Sequence, residues 1–467
     1  MSENTRLGIA FAAPVIVRVI FHILTGFTAD DAFITFRYAE NIAAGLGYVY
    51  NESQAVQGTT TPLFTLILAL CSIVRIPLQS AALFVSILSA GLTGVVLLRF
   101  ATSLRFTRWA LLPVVCYAFW PRSLAADTGG METALFTLLV TSALYFQHKR
   151  LDMYALGMAT LATVTRPEGA LLLGLLGVCN LYQHRERWLS YLTIPAVILG
   201  PWLLFAWYYF GSILPHSVTA KLALYSRFGT SPSWDTFVGL MGWHNPAGWM
   251  LTVMAIVGGY WMLKKQNSGR LEVTWLVVML AFYTFSGTRV FFWYIVPIFP
   301  VYLLFASAAA PCAADLLKLT PDRERFARSV VMSLVALILI ADGYRPVTYY
   351  AAYQRDMKSV HREIGEYLRI YAEPDAIVAA EDIGYIGFYS RRQILDRDGL
   401  VSPEAVPYNR RGDYLGVIAD HTPDWVVAAH DSPISGFTAD SAFVAAYEKR
   451  QDFVSDMFKY AVFARRQ

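Results

Sequence analysis

Apolar residues run in blocks along the first three quarters of the chain, near 7–27, 80–98, 109–125, 132–148, 189–210, 248–263, 272–286, 291–310 and 329–344. A crossing helix needs about 20 largely apolar residues, so each block predicts a span. The stretch 152–182 predicts a short helical pair broken at Arg166-Pro167-Glu168-Gly169, where proline and glycine mark a turn. Counted in this way, the pattern predicts a polytopic α-helical membrane protein with about eleven transmembrane helices. The first block is too long for a signal-peptide core, and no small-x-small cleavage pattern follows it, so it reads as a retained span.

One further apolar run, 61–76, is decided by charge. If it lies along the membrane surface or re-enters, the loops 1–6, 99–108, 149–151, 183–188, 264–271 and 311–328 face the cytoplasm. They hold about 15 Lys/Arg in about 51 residues. The outward segments 28–79, 121–131, 165–168, 211–247 and 287–290 then hold about 7 in about 108. A crossing at 61–76 would reverse that bias, so a surface or re-entrant helix is expected, and Pro62 suits it.

From about residue 345 the pattern changes to alternating polar and apolar blocks. Residues 355–371 predict a helix, and AIVAAE (376–381), QILDRD (393–398) and DWVVAAH (424–430) predict three strands, with an amphipathic stretch and a hairpin after them. The expected organisation is a transmembrane domain, 1–344, and an extracytoplasmic soluble α/β domain, 345–467. The N-terminus would be cytoplasmic and the chain multi-pass in the inner (plasma) membrane.

Composition agrees with this class: 56% of residues are hydrophobic, 15% charged and 15% aromatic, with a net charge of +4. No basic run or RNA-binding signature points to nucleic acid. Cys71, Cys116, Cys179 and Cys312 lie in or beside apolar segments without a CxxC pair, which fits small buried hydrophobes.

The candidate chemistry lies on the outward side. The loop 28–79 opens TADDAFITFRYAENIAAGLGYVYN. Helical spacing puts Asp30, Arg37 and Asn41 on one face and Phe33 and Phe36 towards another. Thr28-x-x-Asp31 matches a capping box, which would account for one acid. Two acids together beside the bilayer also suit catalysis, each raising the other's pKa. Further outward residues are Glu132 in GGMETALF, Arg166 and Glu168 in TRPEG, His216 and Lys221 in PHSVTAK, and Arg289 in GTRVFFWY. Each alone reads as an interfacial anchor or cap. Together, two acids and several cations suit a lipid phosphate, the cations holding it while a carboxylate activates a nucleophile. Arg18 and His22, inside the first span, are expected to snorkel or pair. Glu381, Asp382, Asp396 and Asp398 read as solvated loop acids.

These strings, with VQGTTTPL, GSILPHSVTAK and GFYSRRQILDRDGLV, resemble the GT-C superfamily of membrane glycosyltransferases, in particular the branch with cell-wall arabinofuranosyltransferases. The resemblance runs from Asp30 to about Val401, with little between about 222 and 330. It implies a sugar donor on a polyprenyl phosphate and a glycan, lipid or protein acceptor outside the cytoplasm. It makes Asp30 or Asp31 the general base, or the holder of a divalent cation, a metal being compatible but not required. Lys221, Arg166 and, more weakly, Arg289 become candidates for the donor phosphate, and Arg37, Tyr38, Glu132, Glu168 and His216 for other pocket positions. In the protein mannosyltransferase branch the second acid is glutamate, and here it is Asp31, which weakens any transfer of protein-acceptor specificity. A transporter or flippase of lipid-linked sugars is the alternative, although no repeated halves are visible.

Overall fold

A computed structural model describes residues 1–225, 241, 246–265, 268–286, 289–430 and 432–466; parts of the expected outward segments 211–247 and 287–290 lie outside them. In chain order the first eleven helices are α1 (Glu3–Thr25), α2 (Asp30–Ala43), α3 (Pro62–Ile73), α4 (Leu78–Ser103), α5 (Leu112–Ala118), α6 (Pro121–Thr128), α7 (Thr133–His148), α8 (Asp152–Thr165), α9 (Gly169–Gln183), α10 (Trp188–Phe210) and α11 (His216–Tyr225). There follow α12 (Pro246–Lys265), α13 (Arg270–Phe285), α14 (Phe299–Leu316), α15 (Pro321–Met357), α16 (Glu363–Tyr371) and α17 (Ile383–Ser390). The strands are β1 (Ile377–Ala380), β2 (Gln393–Asp396), β3 (Trp425–Ala429), β4 (Tyr447–Val454) and β5 (Lys459–Arg465).

Among the described residues, five helices are long and apolar enough to cross a membrane, or six if the bent pair α6 and α7 is one span. The block 109–125 does not form one helix. It breaks before Pro121, which opens α6. The blocks near 329–344 and 355–371 differ the other way: α15 runs unbroken from Pro321 to Met357 and a π-turn, Lys358–Arg362, carries it into α16. Pro346 lies inside α15 and removes one hydrogen bond without ending it. The run 61–76 forms the 12-residue α3. At about 1.5 Å per residue it reaches about 18 Å, short of the bilayer core of about 30 Å.

By compactness the chain forms two units: residues 1–26, 82–202 and 231–349 in the first, and 27–81, 203–230 and 350–467 in the second. In the first unit Arg18 is fully buried and pairs with Asp127 at 2.6 Å, so it pairs rather than snorkels. Leu112, Met254, Leu303, Val335, Ile338 and Leu339 are among the residues lining an apolar groove of about 490 Å³ in this unit.

The second unit holds a five-stranded sheet in the order β2-β1-β3-β5-β4. β1 pairs parallel with β2 and β3, while β5 pairs antiparallel with β3 and β4. Ala379, Leu395, Val417, Ile418, Val426 and Phe443 are part of the core behind it. The parallel strands are apolar in continuous runs because both faces are covered. The expected helix, strands and hairpin are all present.

Candidate active site

The acid pair opens α2, but not through the box the sequence suggests. The N-cap is Ala29, with no side-chain cap bond, and the Thr28 amide instead donates to Gln354 Oε1 at 2.9 Å. The capping box is therefore not formed: a tertiary partner supplies what a local one would have.

Asp30 has a different partner. Its Oδ2 accepts from the Gly384 amide at 3.0 Å and its Oδ1 from the Tyr385 amide at 2.8 Å. These are orphan donors of the first turn of α17, and a carboxylate is a favourable acceptor for them. Burial pushes Asp30 up to about 7, Asp382 adds to the rise, and His361 and the Tyr385 amide oppose it.

Asp31 is half-buried, and among the described residues none hydrogen-bonds to its carboxylate. Burial raises its pKa, the Lys221 ammonium opposes the rise, and Asp382 adds to it. Lys221 comes from α11, which also brings His216. The His216 amide donates to Gln57 O at 3.0 Å, and its ring Nε2 is 3.1 Å from Gly399 O. Burial lowers the His216 pKa.

Arg37 and Tyr38 are framework residues. Arg37 donates to Tyr50 O at 2.8 Å, Gly387 O at 2.7 Å and Arg392 O at 2.7 Å, and lies over the Tyr50 ring. Tyr38 donates to Val56 O at 2.6 Å and accepts from the Gly58 amide at 2.9 Å. Asn41, on the face of Asp30 and Arg37, donates to Val49 O and Tyr50 O. Asp30 and Arg37 both reach α17, as a shared face expects, but Phe33 packs on Tyr385 of that same helix and not towards another.

Of the acids at the ends of β1 and β2, Asp396 and Glu381 are not solvated loop acids. Asp396 is fully buried and accepts from the Val401 and Asp398 amides, both at 3.0 Å. Glu381 accepts from the Ala429 amide and from Ser432 and Ser435 hydroxyls. Asp382 accepts from the Tyr460 hydroxyl and lies 3.7 Å from His361 Nε2. At the carboxyl ends of parallel strands, Glu381 and Asp396 meet donors supplied by the fold, whereas the Asp382 side chain keeps 43% of its surface exposed. Asp382 and His361 act electrostatically on Asp30, and neither His361 nor Gln354 carried a local signal that tied it to the pair. Their distance in sequence, over 300 residues, hides them.

The remaining candidates lie in the first unit. Arg166 is buried, 3.6 Å from Glu132 and 3.3 Å from Glu168, and its guanidinium sits over the Tyr294 ring at 4.8 Å. The Tyr283 hydroxyl donates to Glu168. Arg289 is exposed and lies over Phe291 at 5.3 Å. The structure thus gathers Asp30, Asp31, Arg37, Tyr38, His216 and Lys221 in one unit, and Arg166, Glu132, Glu168 and Arg289 in the other.

Among the described residues no three His, Cys, Asp or Glu side chains converge to hold a metal ion. Both oxygens of Asp30 already accept from amides.

Comparison with solved structures finds this fold elsewhere. The chain is similar to ArnT from Cupriavidus metallidurans, solved bound to undecaprenyl phosphate, with 14% identity, a TM-score of 0.60, and coverage of 99% of this chain and 98% of that one. It is similar to the archaeal oligosaccharyltransferase AglB from Archaeoglobus fulgidus, solved with an inhibitory peptide and a dolichol-phosphate, with 12% identity, a TM-score of 0.58, and coverage of 98% and 74%. It is also similar to the arabinofuranosyltransferase AftD from Mycobacteria, with 15% identity, a TM-score of 0.58, and coverage of 100% of this chain but 40% of that one. At these identities the likeness shows the fold alone, which the chain shares with these three structures. A family model described as a domain of unknown function (DUF8728) matches residues 345–465. No curated protein matches the chain by sequence.

Proposed function

We propose that this chain is an integral membrane glycosyltransferase that moves a sugar from a polyprenyl-phosphate donor to a hydroxyl of an extracytoplasmic glycan, lipid or protein acceptor. The observation that carries the reading is Asp31 on a GT-C fold: a half-buried carboxylate with no hydrogen-bond partner among the described residues, its charge opposed by Lys221 from α11. About eleven spans, a cytoplasmic N-terminus and an extracytoplasmic C-terminal segment in the inner membrane complete the proposal. The apolar groove of the first unit suits an isoprenoid chain.

In the proposed step Asp31 takes the proton of the acceptor hydroxyl while its oxygen forms a bond to the anomeric carbon. The bond from that carbon to the phosphate oxygen breaks, and the electron pair leaves with the polyprenyl phosphate. Lys221 stabilises the charge that develops there. Arg166, already balanced by two carboxylates, and the exposed Arg289 are secondary to Lys221. A single displacement inverts the anomeric centre. A retaining mechanism would require a second carboxylate free to attack, and Asp30 is committed to two amides. No step runs through a metal.

The test is transfer of labelled sugar from a panel of polyprenyl-phosphate sugars by purified chain, beside Asp31→Asn. Transfer from one donor that is lost in the variant supports the reading. Folded wild-type protein that transfers from no donor, with acceptors present, moves the assignment to a flippase or transporter.

A further inference from the structure

We infer that Asp30 is a positioning residue, which clamps helix α17 together with Arg37 and so fixes the turn that aims Asp31; this rests on the reading of Asp31 as the base.

The clamp follows from how α17 is capped. Its N-cap residue is Asp382, whose side chain makes no cap bond to the helix and instead accepts from Tyr460 near His361. The amides of Gly384 and Tyr385 are satisfied from α2, both by the Asp30 carboxylate. At the other end, Arg37 donates to Gly387 O and Arg392 O. Asp30 and Arg37 are two helical turns apart on one face, about 10 Å along the axis. That span matches the eight residues of α17. The two helices therefore run parallel, and α2 sets a negative charge at the N-terminus of α17 and a positive charge at its C-terminus. Both placements are favourable for the helix dipole.

The approach between the helices requires glycine. A Cβ at Gly384 would stand 2.0 Å from Asp30 O and 2.5 Å from the carboxylate, and one at Gly387 would stand 1.8 Å from the Tyr50 hydroxyl. Phe33 and Tyr385 pack with centroids 4.0 Å apart. Gln354 ties the same corner, accepting from Thr28 N and donating to the Tyr385 hydroxyl. For Asp30 to accept a proton, the cap that holds this turn would have to be released. Asp31 is the next residue and carries no such duty.

The experiment measures kcat, KM and the pH profile of sugar transfer by the full chain in lipid, with Asp30→Asn, Gly384→Ala and the double variant. The pair is surrounded by Asp382 and His361 from the C-terminal segment, Lys221 from α11, and the Tyr50, Tyr385 and Tyr460 hydroxyls. Misplacing a catalytic group costs up to about 100-fold. Asp30→Asn and Gly384→Ala are each expected to lower kcat by about 10–100-fold with donor KM little changed. The double variant should be no worse than the poorer single, because both break one contact. Asp30→Asn should keep the acid limb of the pH profile, since Asp31 still titrates. An Asp30→Asn enzyme without an acid limb, beside a Gly384→Ala enzyme of wild-type kcat, makes Asp30 the base and overturns the inference. Thermal unfolding of the same set is independent of any donor. Additive losses overturn the clamp, and non-additive losses support it even if the wild-type chain transfers no sugar and the enzyme reading fails.

Discussion

The Arg166 cluster and the Asp30–Asp31 turn both concentrate charge away from water, and they settle it differently. Around Arg166 two carboxylates and an aromatic face meet one guanidinium, and the Tyr283 hydroxyl donates to Glu168. Each group there has its answer inside the fold. Around the acid pair, Asp30, Asp31 and Asp382 face His361 and Lys221, and Asp31 is left with a raised pKa and no hydrogen bond among the described residues. A balanced buried cluster costs stability when broken. An unbalanced one keeps a group ready to react. Similar residue types in sequence therefore point to different jobs, and the partners decide which.

The largest effect that would break this contrast is at Asp31. Asp31→Asn is expected to lower transfer by roughly 1,000-fold, within the range of general-base losses, with unchanged melting temperature in detergent. A large loss of melting temperature instead would put Asp31 in the same class as Arg166.

Next comes Arg166→Leu. Removing one partner of a buried pair costs about 3–5 kcal/mol, and here two carboxylates lose their shared cation. Expression and thermal unfolding should fall steeply. A stable variant with weakened donor binding would instead return Arg166 to the phosphate.

Lys221→Ala should lower transfer by roughly 100-fold, as for loss of one donor to developing charge. It also has a pH signature. A base works when deprotonated, so the raised pKa of Asp31 places the acid limb above the ordinary carboxylate range. Lys221 opposes that rise and Asp382 adds to it. Lys221→Ala should move the limb to higher pH and Asp382→Asn to lower pH, measured as kcat/KM against pH. Shifts of the opposite sign would remove Asp31 from the role.

The smallest effect serves as a control. Lys449 and Asp452 pair at 2.8 Å on an exposed strand. Lys449→Ala should change stability by less than about 1 kcal/mol and transfer not at all.

Local pattern carried much of the architecture. Apolar blocks of spanning length foretold helices, period and β-branched runs foretold the strands of the C-terminal sheet, and the i, i+7 spacing put Asp30 and Arg37 on one face. These are properties of neighbours in the chain, and periodicity reports them. The strings around the acid pair resemble GT-C enzymes, and the chain shares its fold with ArnT, AglB and AftD.

What the sequence could not show is which group answers which. The Thr28-x-x-Asp31 box is complete in letters, yet Thr28 meets Gln354 and Asp30 meets Gly384 and Tyr385. Asp396, which read as a solvated loop acid, is enclosed at the end of a parallel strand. Arg166 reads as a candidate for the donor phosphate, and the fold sets Glu132 and Glu168 beside it. In each case the local element is fixed by residues three or four apart, whereas hydrogen-bond partners and desolvation come from segments tens to hundreds of residues away. Only the folded chain brings those together, and it is those partners that set the charge, exposure and reactivity of each carboxylate.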